Sequence, residues 1–179
     1  MISSFKNGVV VFFLVTIFTS CNQGESLQSY YVNNQEKPNF LQVDVPVSMV
    51  KLAEEQMNEE QKEAFRSIDK LNMLAYSVTQ DEADYKLEQE KVTKILQNEK
   101  YEELMRGSMA GGKFVVKMIG DDDLIDELIV FGSSSDKGFA IIRVLGDDMD
   151  PVKIMKLGDV LQNIDADQTD VKNFIDFFQ

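Results

Sequence analysis

The sequence predicts an α+β domain in which helices pack on an antiparallel or mixed sheet as a single pair of layers. Two observations indicate this class. Helical and strand-like segments alternate in the first half of the chain, and three strand-like runs joined by short turns follow in the second half. Because short connections join antiparallel neighbours, we expect the second half to form a meander.

The first 20 residues predict an export signal that is removed from the mature protein. Lys6 is the only charged side chain in residues 1–7, and residues 9–18 are almost unbroken apolar sequence. That run is about half as long as a bilayer-spanning helix requires. Phe18-Thr19-Ser20-Cys21 resembles a lipobox, so we expect acyl chains such as palmitate on Cys21. The alternatives are an ordinary signal peptide with an unmodified cysteine, or a buried structural thiol.

The mature chain is expected to contain a short tether, residues 21–25, and one domain, residues 26–179. Ser26 can cap a helix that runs through Gln35. Residues 40–45 alternate between apolar and polar side chains and predict the first strand, which Pro46 closes.

The next segment predicts a helical turn, a helix and a second strand. The turn contains Met49, Val50 and Leu52. Asn58 and Gln61 have the spacing of a capping box, which predicts a helix through Phe65 and Ile68. Residues 71–78 then form a strand pattern.

Residues 80–98 predict the clearest helix of the chain, with Thr79 and Glu82 as a second capping box. Its expected buried stripe consists of Ala83, Leu87, Val92, Ile95 and Leu96.

Three strands are predicted after this helix, at residues 114–119, 128–131 and 139–145. Asp150 as N-cap and Pro151 at the first helical position predict a further helix. The apolar stripe expected on that helix comprises Ile154, Leu157, Leu161 and Ile164, and a last short helix carries Phe174, Ile175, Phe177 and Phe178.

The composition excludes several kinds of chemistry. The chain has no histidine, so Ser-His and Cys-His pairs and histidine metal sites are ruled out, and its one cysteine is assigned to the lipid. Its net charge of −13 disfavours nucleic acid and anionic membrane surfaces as partners. Membrane attachment is therefore expected through the N-terminal lipid, with no cofactor.

Two short motifs are interpreted as coincidences. Residues 107–113 spell G-x-x-x-x-G-K, but Phe114 stands where a nucleotide-binding loop needs Ser or Thr, and a strand pattern follows. We therefore expect a flexible connecting loop and no nucleotide there. Residues 48–51 and 67–70 spell S-x-x-K without the other elements of penicillin-recognising enzymes.

Two acidic clusters are weak candidates for a metal site. Both lack the alternating spacing of a calcium loop, so turn formation and helix capping are the preferred explanation. The clusters comprise Asp121, Asp122 and Asp123, with Asp126 and Glu127 nearby, and Asp147, Asp148 and Asp150.

Several blocks of the sequence, in order, resemble a known family. They include residues 26–32, 40–46, 70–76, 126–132, 137–140 and 143–149. They are similar to the Bacteroidota family of small lipoproteins described as domain of unknown function 4252. The resemblance implies a location in the bacterial cell envelope but no activity and no site residues. The segment after Cys21 has no acidic run, which favours the periplasmic face of the outer membrane.

Two classes of function follow from these observations. The first is a non-catalytic module that binds or senses another envelope component, either a protein or a glycan. The alternative is a small hydrolase that uses two carboxylates on an envelope glycan. The second class requires a cleft with two facing carboxylates, which the structure can reveal.

Overall fold

The computed structural model describes residues 24–49, 57–78, 82–109, 111–121 and 123–157. Within them lie four α-helices, six strands and one 3₁₀ turn. In chain order these are α1 Leu27–Asn34, β1 Phe40–Pro46, the 3₁₀ turn Val47–Met49, α2 Glu59–Arg66, β2 Ile68–Ser77, α3 Glu82–Leu96, β3 Glu102–Met109, β4 Gly112–Gly120, β5 Ile125–Ser134, β6 Gly138–Met149 and α4 Pro151–Lys156.

The six strands form one open sheet in the order β1-β2-β6-β5-β4-β3, and every neighbouring pair is antiparallel. The α+β class is therefore confirmed, and the sheet is antiparallel rather than mixed. Strands β3 to β6 follow one another as a meander, as the short connections predict. Arg143 of β6 lies near the centre of the sheet, opposite Asn72 of β2 and Ile129 of β5.

Helices cover both faces of this sheet. Successive residues of a strand point to opposite faces, and β5 has a continuous apolar run from Leu128 to Phe131, so both faces need cover. On the first face, α1 and α3 pack on a core that includes Leu74, Ile129, Phe139 and Ile141. On the second face, α2 and α4 pack on a core that includes Val116, Leu128 and Val144. The structure thus adds a third layer to the predicted pair.

The predicted helix caps are confirmed where the structure describes them. The Ser26 hydroxyl accepts a hydrogen bond from the Ser29 amide at 3.1 Å. Asn58 and Gln61 form the reciprocal capping box, at 2.9 and 3.0 Å. The Asp150 carboxylate accepts bonds from the first free amides of α4, and Pro151 is the first residue of that helix. Each cap supplies an acceptor to backbone donors that the helix cannot satisfy.

Two predicted boundaries and one predicted stripe are wrong in detail. Helix α2 ends at Arg66, and Ile68 belongs to β2, which begins three residues earlier than expected. On α3, Ala83 and Leu87 are exposed, Leu87 by 55 %, whereas Tyr85 is buried. The tyrosine ring stacks on Tyr76 and reaches Phe139, so the helix turns its aromatic side toward the sheet.

Strand β3 was not predicted, and several predicted features lie outside the described residues. These are the export signal and Cys21, the capping role of Thr79, the positions Val50 and Leu52, the stripe residues Leu161 and Ile164, and the last helix with Phe174, Ile175, Phe177 and Phe178. Among the described residues, no helix combines the length and apolar character needed to cross a membrane.

A buried ion pair joins α1 to the middle of the sheet. Arg143 donates to both carboxylate oxygens of Glu127, at 2.6 and 3.0 Å, and to the Gln28 side chain of α1 at 2.8 Å. Its guanidinium also lies 5.3 Å from the centre of the Tyr31 ring. Burial alone would lower the pKa of Arg143, but the hydrogen bonds and charge of Glu127 raise it. Arg143 therefore stays charged and holds the first helix in register with the sheet.

Candidate functional site

A groove lies between α3 and strands β3, β4 and β5, on the first face of the sheet. Its volume is about 590 Å³, within the range of pockets that hold small ligands. The wall comes from α3 and the floor from the three strands. We call this surface the basic groove; its charged lining residues are Glu103, Arg106, Lys113 and Lys117.

Two lysines of β4, both on the same face of the strand, line the groove. Lys113 and Lys117 are separated by four residues, which places them on the same face of the strand. Lys113 makes no ion pair and no side-chain hydrogen bond with any described residue. Lys117 uses one of its three donors on the Tyr101 carbonyl, at 3.1 Å. Both ammonium groups therefore keep donors for a ligand.

Arg106 and Glu103 form an ion pair on β3. Two guanidinium nitrogens of Arg106 donate to the two carboxylate oxygens of Glu103, both at 2.5 Å. The hydrogen bond from Arg106 lowers the pKa of Glu103, and the same bond raises the pKa of Arg106. Arg106 is 75 % exposed and retains unpaired donors. Glu103 is thereby held as an ion, and an ionised carboxylate cannot act as a general acid.

The helix wall of the groove is uncharged and mostly polar, with Leu96 as its apolar residue. Gln89, Thr93 and Gln97 recur every four residues, so they lie in one row along the helix. Gln97 directly follows α3 and continues its hydrogen bonding through its amide and the Thr93 carbonyl, at 3.1 Å. Within the described residues, the amide side chains of Gln89 and Gln97 have no hydrogen-bond partner. Ser108 and Ser133 add hydroxyls from the strands.

The charge of the groove is opposite to that of the chain. Among its described lining residues there are three cations and one carboxylate, whereas the whole chain has a net charge of −13. A cleft lined by one sign of charge concentrates ligands of the other sign. The arrangement can bind an anionic or hydroxyl-rich ligand, and its described lining residues do not include two facing carboxylates.

The G-x-x-x-x-G-K segment forms part of this groove, but not as a flexible loop. Gly107 pairs with Phe114 and Ser108 pairs with Lys113 across a tight β3–β4 hairpin. The expected loop is therefore wrong, because strand pairing continues almost to the turn. The segment does not precede a helix, so it lacks the geometry that cradles phosphates in nucleotide-binding loops.

Neither S-x-x-K match is assembled as a serine-lysine pair among the described residues. Ser67 caps the end of α2 and donates to the Ala64 carbonyl at 2.8 Å, whereas Lys70 is an exposed residue of β2. They do not lie one helical turn apart. In the other match Ser48 lies in the 3₁₀ turn, and Lys51 lies outside the described residues.

The acidic metal candidates are distributed over turns, a strand end and a helix cap. Asp121 and Asp123 lie in the β4–β5 connection, Asp147 and Asp148 at the end of β6, and Asp150 caps α4; Asp122 lies outside the described residues. Asp148 has a φ of 50°, a turn-like conformation that aspartate tolerates. Within the described part of the chain, no three acidic side chains are grouped so as to hold a metal ion. Glu127, which the sequence places beside the first cluster, is the buried partner of Arg143.

A second, shallower depression is lined by Gln35, Glu36, Gln42 and Asp44, with a volume of about 430 Å³. Both oxygens of Asp44 already accept hydrogen bonds, one from Asn72 and one from Gln42. The carboxylate is therefore engaged in joining β1 to β2. No observation favours this depression over the basic groove as a ligand site.

The groove was not predicted, although part of its pattern is visible in the sequence. The spacing of Gln89, Thr93 and Gln97 marks one helix row, and Lys113 and Lys117 mark one strand face. What the sequence does not show is that these rows meet, because the missing strand β3 and its pairing with β4 bring them together.

Comparison with known proteins identifies the family of this chain but assigns no activity to it. No curated protein and no solved structure matched the chain. The family model described as "Domain of unknown function (DUF4252)" matches residues 30–157, which is more than half of the chain and includes every strand of the sheet and the basic groove. The chain therefore belongs to the DUF4252 family, as its sequence blocks indicate.

Proposed function

We propose that this protein is a lipid-anchored, non-catalytic binding module of the cell envelope, and that the basic groove is its ligand site. The anchor is Cys21, and the ligand is another envelope component. The observation that carries the proposal is the lining of the groove, where lysine ammonium, side-chain amide and serine hydroxyl groups surround a single described carboxylate that Arg106 holds. These groups supply many hydrogen bonds and no acid–base pair.

The anchor keeps the groove near a membrane. Cys21 is separated from the N-cap of α1, Ser26, by four residues, which span at most about 18 Å when extended. The acidic surface of the domain gives no attraction to anionic lipids, so attachment depends on the acyl chains. The proposed location is the outer membrane, with the domain facing the periplasm.

The anchor is tested by metabolic labelling with palmitate. The native chain should incorporate the label, and Cys21→Ser should not. A second version, in which residues 1–21 are replaced by a cleavable signal without a lipobox, should move to the soluble periplasmic fraction. Labelling of the Cys21→Ser chain, or retention of the second version in membranes, would contradict lipid anchoring.

The groove is tested by site-specific photocrosslinking in living cells with the anchor intact. A photoreactive residue at Ser108, in the groove, should give an adduct of defined mass. The same residue at Val152, which is exposed on the opposite face of the sheet, is the matched control and should give none. Equal adducts from both positions, or none from Ser108, would show that the groove is not the binding site.

A further inference from the structure

We infer that the ligand of the basic groove is an elongated acidic oligosaccharide, with carboxylates that contact the cations and hydroxyls that contact the amide row of α3. This inference rests on the proposed binding function and specifies its ligand class. It follows from the spacing of the groove's charges, from the chemistry of its facing wall and from the charge of the remaining surface.

The cations are spread along the groove. Lys113 and Lys117 are four residues apart on β4, which corresponds to about 13 Å along the strand. Arg106 is paired opposite Val115, midway between them, about 5 Å across the ladder. A single phosphate or carboxylate does not match such a spacing. Anionic groups repeated along an extended molecule do.

The facing wall has nearly the same length and a different chemistry. Gln89 and Gln97 are eight residues apart, which is about 12 Å along the helix, and Thr93 lies between them. The two side-chain amides offer both donors and acceptors, whereas the lysines offer donors alone. Hydroxyl groups need donors and acceptors together. A chain of sugar rings with carboxylates on one edge satisfies both walls at once.

An anionic membrane surface fits less well than a sugar chain. The lining of the groove is net positive on a chain with a net charge of −13, so a flat anionic bilayer would also approach the net negative remainder of the molecule. A narrow, extended ligand can enter the groove and leave that remainder in water.

The inference is tested by calorimetry on the full, acylated protein in a neutral detergent. The probes are trigalacturonate, which has charges and hydroxyls, maltotriose, which has hydroxyls alone, and tripolyphosphate, which has charges alone. Phosphatidylglycerol dispersed in micelles of the same detergent forms a fourth arm. We expect trigalacturonate to bind most tightly. Equal binding of maltotriose, tighter binding of tripolyphosphate, or comparable binding of phosphatidylglycerol would each overturn the assignment.

Variants separate the two walls of the groove. Lys113→Ala should weaken trigalacturonate binding about tenfold, the usual effect of losing one charge-assisted contact. Lys94→Ala removes the same charge from an exposed position of α3 outside the groove lining and should have no effect. Gln97→Ala should weaken trigalacturonate binding but leave any tripolyphosphate binding unchanged. Equal losses for Lys113→Ala and Lys94→Ala would mean that general charge, not the groove, attracts the probe.

The two proposals fail in different ways. If no sugar probe binds while Ser108 still crosslinks in cells and Val152 does not, the ligand class is wrong and the binding site stands. If neither probe binding nor crosslinking occurs, both proposals are wrong.

Discussion

Replacing Arg143 with methionine should remove much of the stability of the domain. Arg143 and Glu127 are 6 % and 7 % exposed, so the substitution would leave a carboxylate buried without its cation. Losing one partner of a buried pair costs about 3–5 kcal/mol in free energy of unfolding. The total for a domain of this size is about 5–15 kcal/mol. The Arg143→Met variant should therefore retain only a small free energy of unfolding.

The same reasoning predicts rescue by a second substitution. Arg143→Met with Glu127→Leu removes both charges, so no buried ion remains unpaired, and most of the lost stability should return. The hydrogen bond from Arg143 to Gln28 of α1 is still absent, which limits the recovery by about 1 kcal/mol.

The assay is urea unfolding followed by far-ultraviolet circular dichroism, because the chain has no tryptophan. Lys62→Met is the matched control: Lys62 contacts Glu59 at 2.8 Å, but Glu59 is 87 % exposed, so its loss should cost less than about 1 kcal/mol. A cost below 1 kcal/mol for Arg143→Met, or a double variant as unstable as the single one, would refute the role assigned to the buried pair.

Three further predictions concern the fold. Leu157→Ala should lower the free energy of unfolding by about 2–5 kcal/mol, because Leu157 is 1 % exposed in the core on the second face of the sheet. Its control, Lys156→Ala, should lower it by less than about 1 kcal/mol. Similar melting temperatures for the two variants would show that α4 is not docked on the sheet. Gly138→Ala should lower the free energy of unfolding by about 2 kcal/mol or more, because φ at Gly138 is +126° and an added Cβ would lie 1.9 Å from a backbone oxygen. Its control, Gly132→Ala, adds a Cβ where there is open space, so its melting temperature should be nearly unchanged. Burial, and then the hydrogen bond to Glu88, raise the pKa of Tyr30, so the unfolded state loses this proton first. Tyr30 should therefore contribute about 1.4 kcal/mol per pH unit to the loss of stability above about pH 10, in addition to Tyr31 and Tyr85, whose pKa values are also raised by burial. Tyr30→Phe should reduce that slope in alkaline titrations, and an unchanged slope would contradict the assignment.

The caps and central strands could be predicted because their signals are local. Ser26, the Asn58–Gln61 pair and Asp150 each satisfy backbone donors within three residues, so the sequence contains the whole interaction. Strands β4 to β6 are rich in β-branched and apolar residues, and all three were found, although each extends further than its apolar run.

Features that depend on distant residues could not be predicted in the same way. Strand β3 has the sequence EELMRGSM, which contains no β-branched residue; its side chains are mostly exposed, and it pairs with β4 alone. Its strand conformation comes from the partner edge and not from its own propensity. The prediction that Leu87 of α3 is buried was wrong for a related reason. Helical periodicity identifies an apolar stripe, but the aromatic contacts of Tyr85 with the sheet decide which side of the helix faces it.

The contrast between the positive lining of the basic groove and the net negative charge of the chain has a kinetic consequence. An anionic ligand is repelled by the net charge of −13 at long range and attracted by Lys113, Lys117 and Arg106 only at short range. Added salt screens both effects, but the Debye length of about 10 Å at 0.1 M means that the long-range repulsion is screened first. The association rate of trigalacturonate should therefore rise between about 10 mM and 100 mM salt, opposite to ordinary electrostatic steering.

The dissociation rate should rise as well, because salt also weakens the contacts inside the groove. Stopped-flow or surface-based kinetics at several salt concentrations separate the two rates. In Lys113→Ala the long-range repulsion is slightly stronger and the short-range contact is lost, so the dissociation rate should increase more than the association rate decreases. An association rate that falls steadily with salt from about 10 mM upward would mean that the ligand meets a positive surface at long range. The groove would then not be the isolated basic feature that the charge of this chain and the lining of the groove indicate.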